Sequence, residues 1–144
     1  MNRISSILAR KGNNVVQISP GTSVLDALQL MAEKNIGSVV VMDNGMYAGI
    51  VTERDYSRKV ILKGKHSADT TVADIMSADL PSLQPGDSIE HCMALMTEKN
   101  IRYLPVFEQG QLAGIISMSD VVKEIILSQK ETIHHLQNYI SGQG

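Results

Sequence analysis

Apolar positions along the chain fall into short blocks with two different periods, and the blocks recur. From Ile18, the run Ser19-Pro20-Gly21-Thr22 leads into Ser23-Val24-Leu25-Asp26. A hydroxyl and a carboxylate stand there at capping-box spacing, so a helix is expected to begin. Val24, Leu28 and Met31 recur at helical spacing with Ala27 beside them, and Asn35-Ile36-Gly37 ends the run. Ser38-Val39-Val40-Val41-Met42 is short and β-branched, Asp43-Asn44-Gly45 supplies tight-turn residues, and Tyr47-Ala48-Gly49-Ile50-Val51 returns. That pattern predicts two antiparallel strands. Thr52-Glu53-Arg54-Asp55 opens a second helix through Val60, Ile61 and Leu62, which Lys63-Gly64 terminates.

The same order returns 65 residues later without a gap: Pro20 falls on Pro85, Asn35 on Asn100, Gly49 on Gly114 and Asp55 on Asp120. Of the 43 aligned positions from Pro20 to Leu62, 17 are identical, so the chain is two copies of one βαββα unit and any site is to be sought twice. The fold class is α+β, as tandem repeats. Each copy is small for an independent domain, which leads to the expectation of one shared core. Pro105 stands where the first copy has Val40, removing a ladder donor, so either its strand is expected at an edge or its N–H direction is expected to face the cleft.

Residues 1–16 read as a lead-in, with Ile4, Ile7 and Leu8 on one helical face and Val15-Val16 starting a strand. Residues 17–65 form the first repeat, 66–80 a linker with a short helix over Thr71-Val72-Ala73-Asp74-Ile75-Met76, and 81–127 the second repeat. In the extension over 128–144 the helix continues: Val122, Ile126, Ile133, Leu136 and Ile140 share a face broken only by Gln129. This gives one long helix, or two joined near Ser128, before Gly142, and either a candidate dimer surface or a helix folded back on its own module.

Composition narrows the class. Hydrophobic residues make up 43% of the 144 and charged residues 19%, as expected of a compact soluble domain. The formal charge of -2, with no long run of either sign, favours neither nucleic acid nor an anionic bilayer as a partner. Neither a signal-peptide core nor a membrane-spanning stretch is visible, and the cytoplasm is the simplest assignment. Cys92 is the single cysteine, aligned with Ala27 on the expected buried face, which excludes an intrachain disulfide and a thiolate zinc site.

The segments with chemistry are Gly49-Ile50-Val51-Thr52-Glu53-Arg54-Asp55 and Gly114-Ile115-Ile116-Ser117-Met118-Ser119-Asp120. Each puts a hydroxyl and an aspartate at a helix mouth. A capping box accounts for the pair structurally. The functional reading is that free amides and the positive helix end attract a phosphate, while the aspartate accepts two ribose hydroxyls, which together describe a nucleotide or nucleoside. Arg54 and Arg58, with Lys59 nearby, add positive charge at the first mouth and Arg102 near the second.

On these residues the chain resembles a tandem pair of cystathionine-beta-synthase-type (CBS) domains, a Bateman module. The landmarks are Pro20-Gly21 and Pro85-Gly86, Asn35 to Val41 and Asn100 to Val106, Gly49 to Asp55 and Gly114 to Asp120, with Val72-Ala73-Asp74-Ile75-Met76 in the linker. It is similar especially to small stand-alone members. The resemblance implies a pseudo-twofold pair with clefts between the copies, and two pairs joined as a homodimeric four-CBS disc. It implies adenosyl ligands, with Asp55 and Asp120 on ribose, Thr52 and Ser117 at the ribose-phosphate, and Met118 and Ser119 in the same turn. Gly37-Ser38 and Arg102-Tyr103 would line the base pockets.

Catalysis is not expected. His66, His91, His134 and His135 show no metal-ligand spacing, and the glycine turns match neither a Walker loop nor a dinucleotide fingerprint. The charge available suits one or two phosphates, which ranks AMP first and NAD second as regulatory ligand, with no catalytic cofactor. The signal would pass to a separate protein target. The alternative is a structural or protein-interaction module that binds no ligand, its aspartates serving only as caps.

Overall fold

A computed structural model describes residues 2–12 and 15–140. The expected end of the last helix at Gly142 lies outside these residues. The chain divides into two units, one over residues 15–80 and the other combining 2–12 with 81–140.

In the first unit, β1 (Gln17–Ile18) runs parallel to β2 (Ser38–Asp43), which pairs antiparallel with β3 (Met46–Thr52). Helix α2 (Val24–Lys34) starts where Ser23 Oγ accepts the Asp26 amide at 3.0 Å. It ends at Asn35, whose left-handed φ of 54° is one that asparagine tolerates. The turn between β2 and β3 has positive φ at Asn44 and Gly45, the type I′ geometry whose twist suits a two-residue hairpin. Ala48 is the extra residue of a bulge: Val41 pairs with Gly49 but Met42 with Tyr47.

Helix α3 (Glu53–Lys59) is shorter than expected. It gives way to a 3-10 turn over Ile61–Lys63, closed by Gly64 at φ 71°, and leaves Ile61 and Leu62 exposed. The core of this unit takes Val24, Ala27 and Met31 from α2, Val39, Val41 and Val51 from the strands, and Val72 and Ile75 from the linker. The linker is therefore packed structure. Its short 3-10 helix (Val72–Asp74) is followed by Ser77, which exchanges two main-chain hydrogen bonds with Ile50 at 3.0 and 2.9 Å and covers the outer edge of β3.

The second unit repeats this plan with α4 (Ile89–Lys99), β4 (Tyr103–Glu108) and β5 (Gln111–Ser117), including the Asn100 cap and the positive-φ pair Gln109-Gly110. The counterpart of β1 shrinks to a bridge between Leu83 and Val106. Val40 donates to Val16 in the first unit, and Pro105 at the same place has no proton to give. Its strand is consequently an edge of a two-stranded sheet, as expected.

Helix α1 (Ile4–Lys11) closes this unit: Ile4 and Ile7 join Leu83, Ile89, Cys92, Met96, Leu104, Val106, Ile116 and Val121 in one cluster. The apolar residues thus form two cores, one per unit, and the expected single shared core is not what is found. A small βαββα layer reaches closure by borrowing an apolar segment, α1 in one unit and the linker in the other. Burial, and then the nearby Asp87 charge, push the Cys92 thiol up to about 11, so it packs as a small apolar residue.

Helix α5 (Met118–Ile140) is one uninterrupted helix, about 34 Å long at 1.5 Å per residue. In the first copy the helix ends at Lys59 and the 3-10 turn after it at Gly64, whereas the aligned Gln129 lies inside the continuous α5. Beyond its first turns α5 is exposed, and Val122, Ile126, Ile133, Leu136 and Ile140 lie open to solvent. No helix among the described residues is long and apolar enough to cross a membrane.

Candidate functional site

Within each unit the strand pairing brings the separated sequence segments together. Ser38 pairs with Thr52, and Tyr103 with Ser117, so the start of one strand lies beside the hydroxyl at the end of the next. The preceding residues make a matching contact: the Glu53 amide donates to the Gly37 carbonyl at 3.2 Å, and the Met118 amide to the Arg102 carbonyl at 2.9 Å. Gly37, Ser38, Thr52 and Asp55 therefore form one neighbourhood, and Arg102, Tyr103, Ser117, Met118, Ser119 and Asp120 the other. Arg54 is half-buried in the first turn of α3, while Arg58 lies exposed in its last turn.

Both mouths carry a complete capping box. Asp55 Oδ2 accepts the Thr52 amide at 3.0 Å, and Thr52 Oγ1 accepts the Asp55 amide at 3.1 Å while its hydroxyl reaches Oδ2 at 3.1 Å. In the second unit Asp120 Oδ2 accepts the Ser117 amide at 2.8 Å and Ser117 Oγ accepts the Asp120 amide at 3.1 Å. Three of the amides expected to be free at each mouth are thus taken within the protein. The amides of Thr52, Glu53 and Asp55, and of Ser117, Met118 and Asp120, are all bonded inside the protein. The box that starts the helix consumes the donors an anion would have used.

Each aspartate also holds a lysine. Lys11, at the end of α1, places Nζ 2.8 Å from Asp120 Oδ2 and 2.7 Å from the Ile115 carbonyl. Lys59, one turn after Asp55, places Nζ 3.0 Å from Asp55 Oδ1 and 2.8 Å from the Ile75 carbonyl. Asp55 Oδ1 is also 3.4 Å from the Ser77 hydroxyl, so both of its oxygens are engaged. The Asp120 bonds from Lys11 and Ser117 all converge on Oδ2.

Burial alone would push the Asp120 carboxyl up, but the Lys11 hydrogen bond, the Ser117 amide and the Lys11 charge outweigh it and hold the group below its usual range. Asp120 is therefore an anion at neutral pH, with acceptor capacity remaining at a rim whose side chain is 13% exposed. That arrangement can take two hydroxyl donors from a sugar.

Lys59 was visible as charge near the first mouth, and its i,i+4 spacing from Asp55 was legible. Lys11 gave no signal, because only the packing of α1 onto the second unit brings it to Asp120. Among the described residues no cluster of histidine, cysteine, aspartate or glutamate could hold a metal ion. His134 and His135 have ring centroids 6.3 Å apart at a tilt of 54°, with His134 Nε2 3.1 Å from the Asn138 amide.

Comparison with known proteins agrees with this architecture. The CBS domain family model matches residues 4–61 and 72–127, so the chain belongs to the CBS domain family as a tandem pair, or Bateman module. As such it has the architecture of a regulatory module. It is 34% identical over 148 residues to the mitochondrial CBS domain-containing protein CBSX3 of Arabidopsis thaliana, covering 96% of this chain and 72% of that one. The crystal structure of the CBS-domain containing protein ATU1752 from Agrobacterium tumefaciens matches with a TM-score of 0.81 at 37% identity, over 85% of this chain and 98% of the other. The CBS domain pair of protein MJ0100, solved with 5-methylthioadenosine and S-adenosyl-L-methionine, shares the fold with a TM-score of 0.75 at 21% identity, over 86% of this chain and 99% of that one.

Proposed function

We propose that the chain is an adenine-nucleotide-sensing regulatory module that binds AMP, or NAD as second choice, and passes the signal to a separate protein. The carrying observation is Asp120: an ionised, hydrogen-bonded carboxylate at a helix mouth, beside the Ser117 hydroxyl, with its Oδ1 lone pairs uncommitted among the described residues. Asp55 forms the second site with Thr52. Its two oxygens are both engaged, so a ligand must displace the Ser77 contact or share Lys59, and the Asp120 site is the tighter of the two. In both sites the base lies against Gly37-Ser38 or Arg102-Tyr103, whose strand pairing sets them beside the hydroxyls. The adenosyl ligands of the MJ0100 pair support the ligand class.

A ligand held at 100 times its dissociation constant stabilises its bound state by about 2.7 kcal/mol, enough to bias a conformational equilibrium of that size. The module acts as a homodimer whose seam includes the open apolar face of α5. The intact capping boxes favour one other reading, an interaction module whose aspartates bind nothing.

Single Asp55→Asn and Asp120→Asn variants separate the two readings. Asparagine keeps a carbonyl for the cap and loses the charge that strengthens hydrogen bonds to a diol. A charged hydrogen bond contributes about 1.5–3 kcal/mol, so AMP affinity at the altered site is expected to fall at least tenfold. Thermal shifts with AMP, NAD and a GMP control read this out, and variants that respond to AMP like the parent would remove the ribose assignment.

A further inference from the structure

Both aspartates are paired with an ammonium in the same geometry, yet the two lysines are not related by the repeat. At the 65-residue offset Lys59 aligns with Glu124, and Lys11 aligns with Met76. Where the first copy has its lysine, the second has a glutamate only 2% exposed, held by Arg10 at 2.9 Å and by the Asn2 amide. Glu124 cannot serve Asp120, and α1 brings Lys11 in instead. Each unit therefore reaches one arrangement from a different element: Nζ on the aspartate, Nζ on a main-chain carbonyl, and the lysine side chain 39% or 44% exposed. Duplication of an ancestral unit does not produce that match, and a partly exposed ion pair contributes too little to stability to require it.

An ammonium has three protons, and in both units two are committed. Three amides at each helix mouth, those of Thr52, Glu53 and Asp55 and of Ser117, Met118 and Asp120, are bonded internally, so a phosphate arriving beside Asp55 or Asp120 meets a carboxylate with few main-chain donors to offset it. A neighbouring ammonium cancels that repulsion and keeps one donor for a phosphate oxygen. Arg10 is spent on Glu124.

On the nucleotide reading above, we propose that Lys11 and Lys59 are ligand-binding residues, each the counter-charge that holds the phosphate of a nucleoside monophosphate while the adjacent aspartate holds the sugar. They make the sites select phosphorylated nucleosides over free ones.

The test uses the full chain carrying Asp55→Asn, so that binding reports on the second site, and measures AMP and adenosine by titration calorimetry. Lys11→Met supplies the residue found at the aligned linker position, Met76. AMP affinity is expected to fall about tenfold, adenosine affinity to change less than about twofold, and the salt dependence of AMP binding to flatten. Lys11→Arg keeps the charge and is expected to retain most AMP affinity. Equal losses for AMP and adenosine would show a purely structural lysine and overturn the assignment, as would an unchanged AMP affinity or a background chain that binds neither ligand when the parent binds both. A parent that binds neither overturns the nucleotide reading, and the lysine assignment falls with it.

Discussion

Gly49 and Gly114 are identical in sequence context and position, yet alanine is expected to cost far more at the first. A Cβ on Gly49 would stand 2.8 Å from the Ser77 carbonyl oxygen and 3.2 Å from the Met76 side chain. Ser77 cannot retreat, because its amide and carbonyl are both bonded to Ile50 and the neighbouring Ile75 carbonyl is held by Lys59. A Cβ on Gly114 would meet only Leu8 Cδ2, at 2.7 Å, the free end of a half-buried side chain that can change rotamer. Neither position has a positive φ, so backbone strain is equal and absent. Overpacking against fixed atoms costs about 1–3 kcal/mol, and alanine returns roughly 0.4–1 kcal/mol by restricting the unfolded chain.

The net expectation is a loss of about 1–2 kcal/mol for Gly49→Ala and less than about 1 kcal/mol for Gly114→Ala. Urea unfolding of parent and variants, followed by circular dichroism, measures both. Because Ser77 and Ile75 flank Asp55 and Lys59, Gly49→Ala should also alter the response of the first site to AMP. A Gly114→Ala loss equal to or larger than that of Gly49→Ala would refute the reasoning, since the two differ only in what stands opposite.

Gln109 adopts φ 53° in an exposed turn where the first copy has Asn44, so Gln109→Asn is expected to stabilise the chain by up to about 1 kcal/mol, read as a rise of roughly 3 °C in melting temperature. A fall would contradict the turn assignment. Truncation after Ser128 removes Ile133, Leu136 and Ile140 from the exposed face of α5 and is expected to reduce the sedimenting mass from dimer to monomer. An unchanged mass would remove the helix from the interface.

The sequence by itself determined the repeat, the order of elements and the location of both helix mouths, because those depend on local physics. Capping pairs at Ser23, Thr52, Ser88 and Ser117, left-handed caps at Asn35 and Asn100, and turns at Asn44-Gly45 and Gln109-Gly110 act over a few residues and appear in composition and spacing. The length of the second helix in each copy was only partly legible, since α3 ends at Lys59 and gives way to a 3-10 turn closed by Gly64, while α5 continues through the aligned Gln129 to Ile140.

Only the tertiary structure decided which segment closes which core, and with it the charge at each site. Helix α1 packs on the unit that begins 70 residues further on, and carries Lys11 to Asp120 across a separation that no periodicity encodes. Amide availability was likewise a matter of three dimensions: the Gly37 and Arg102 carbonyls and the aspartates take donors that a helix start, read alone, leaves open. Local hydrogen bonding writes itself into neighbouring residues, whereas the pairing of charges across a fold is set by packing.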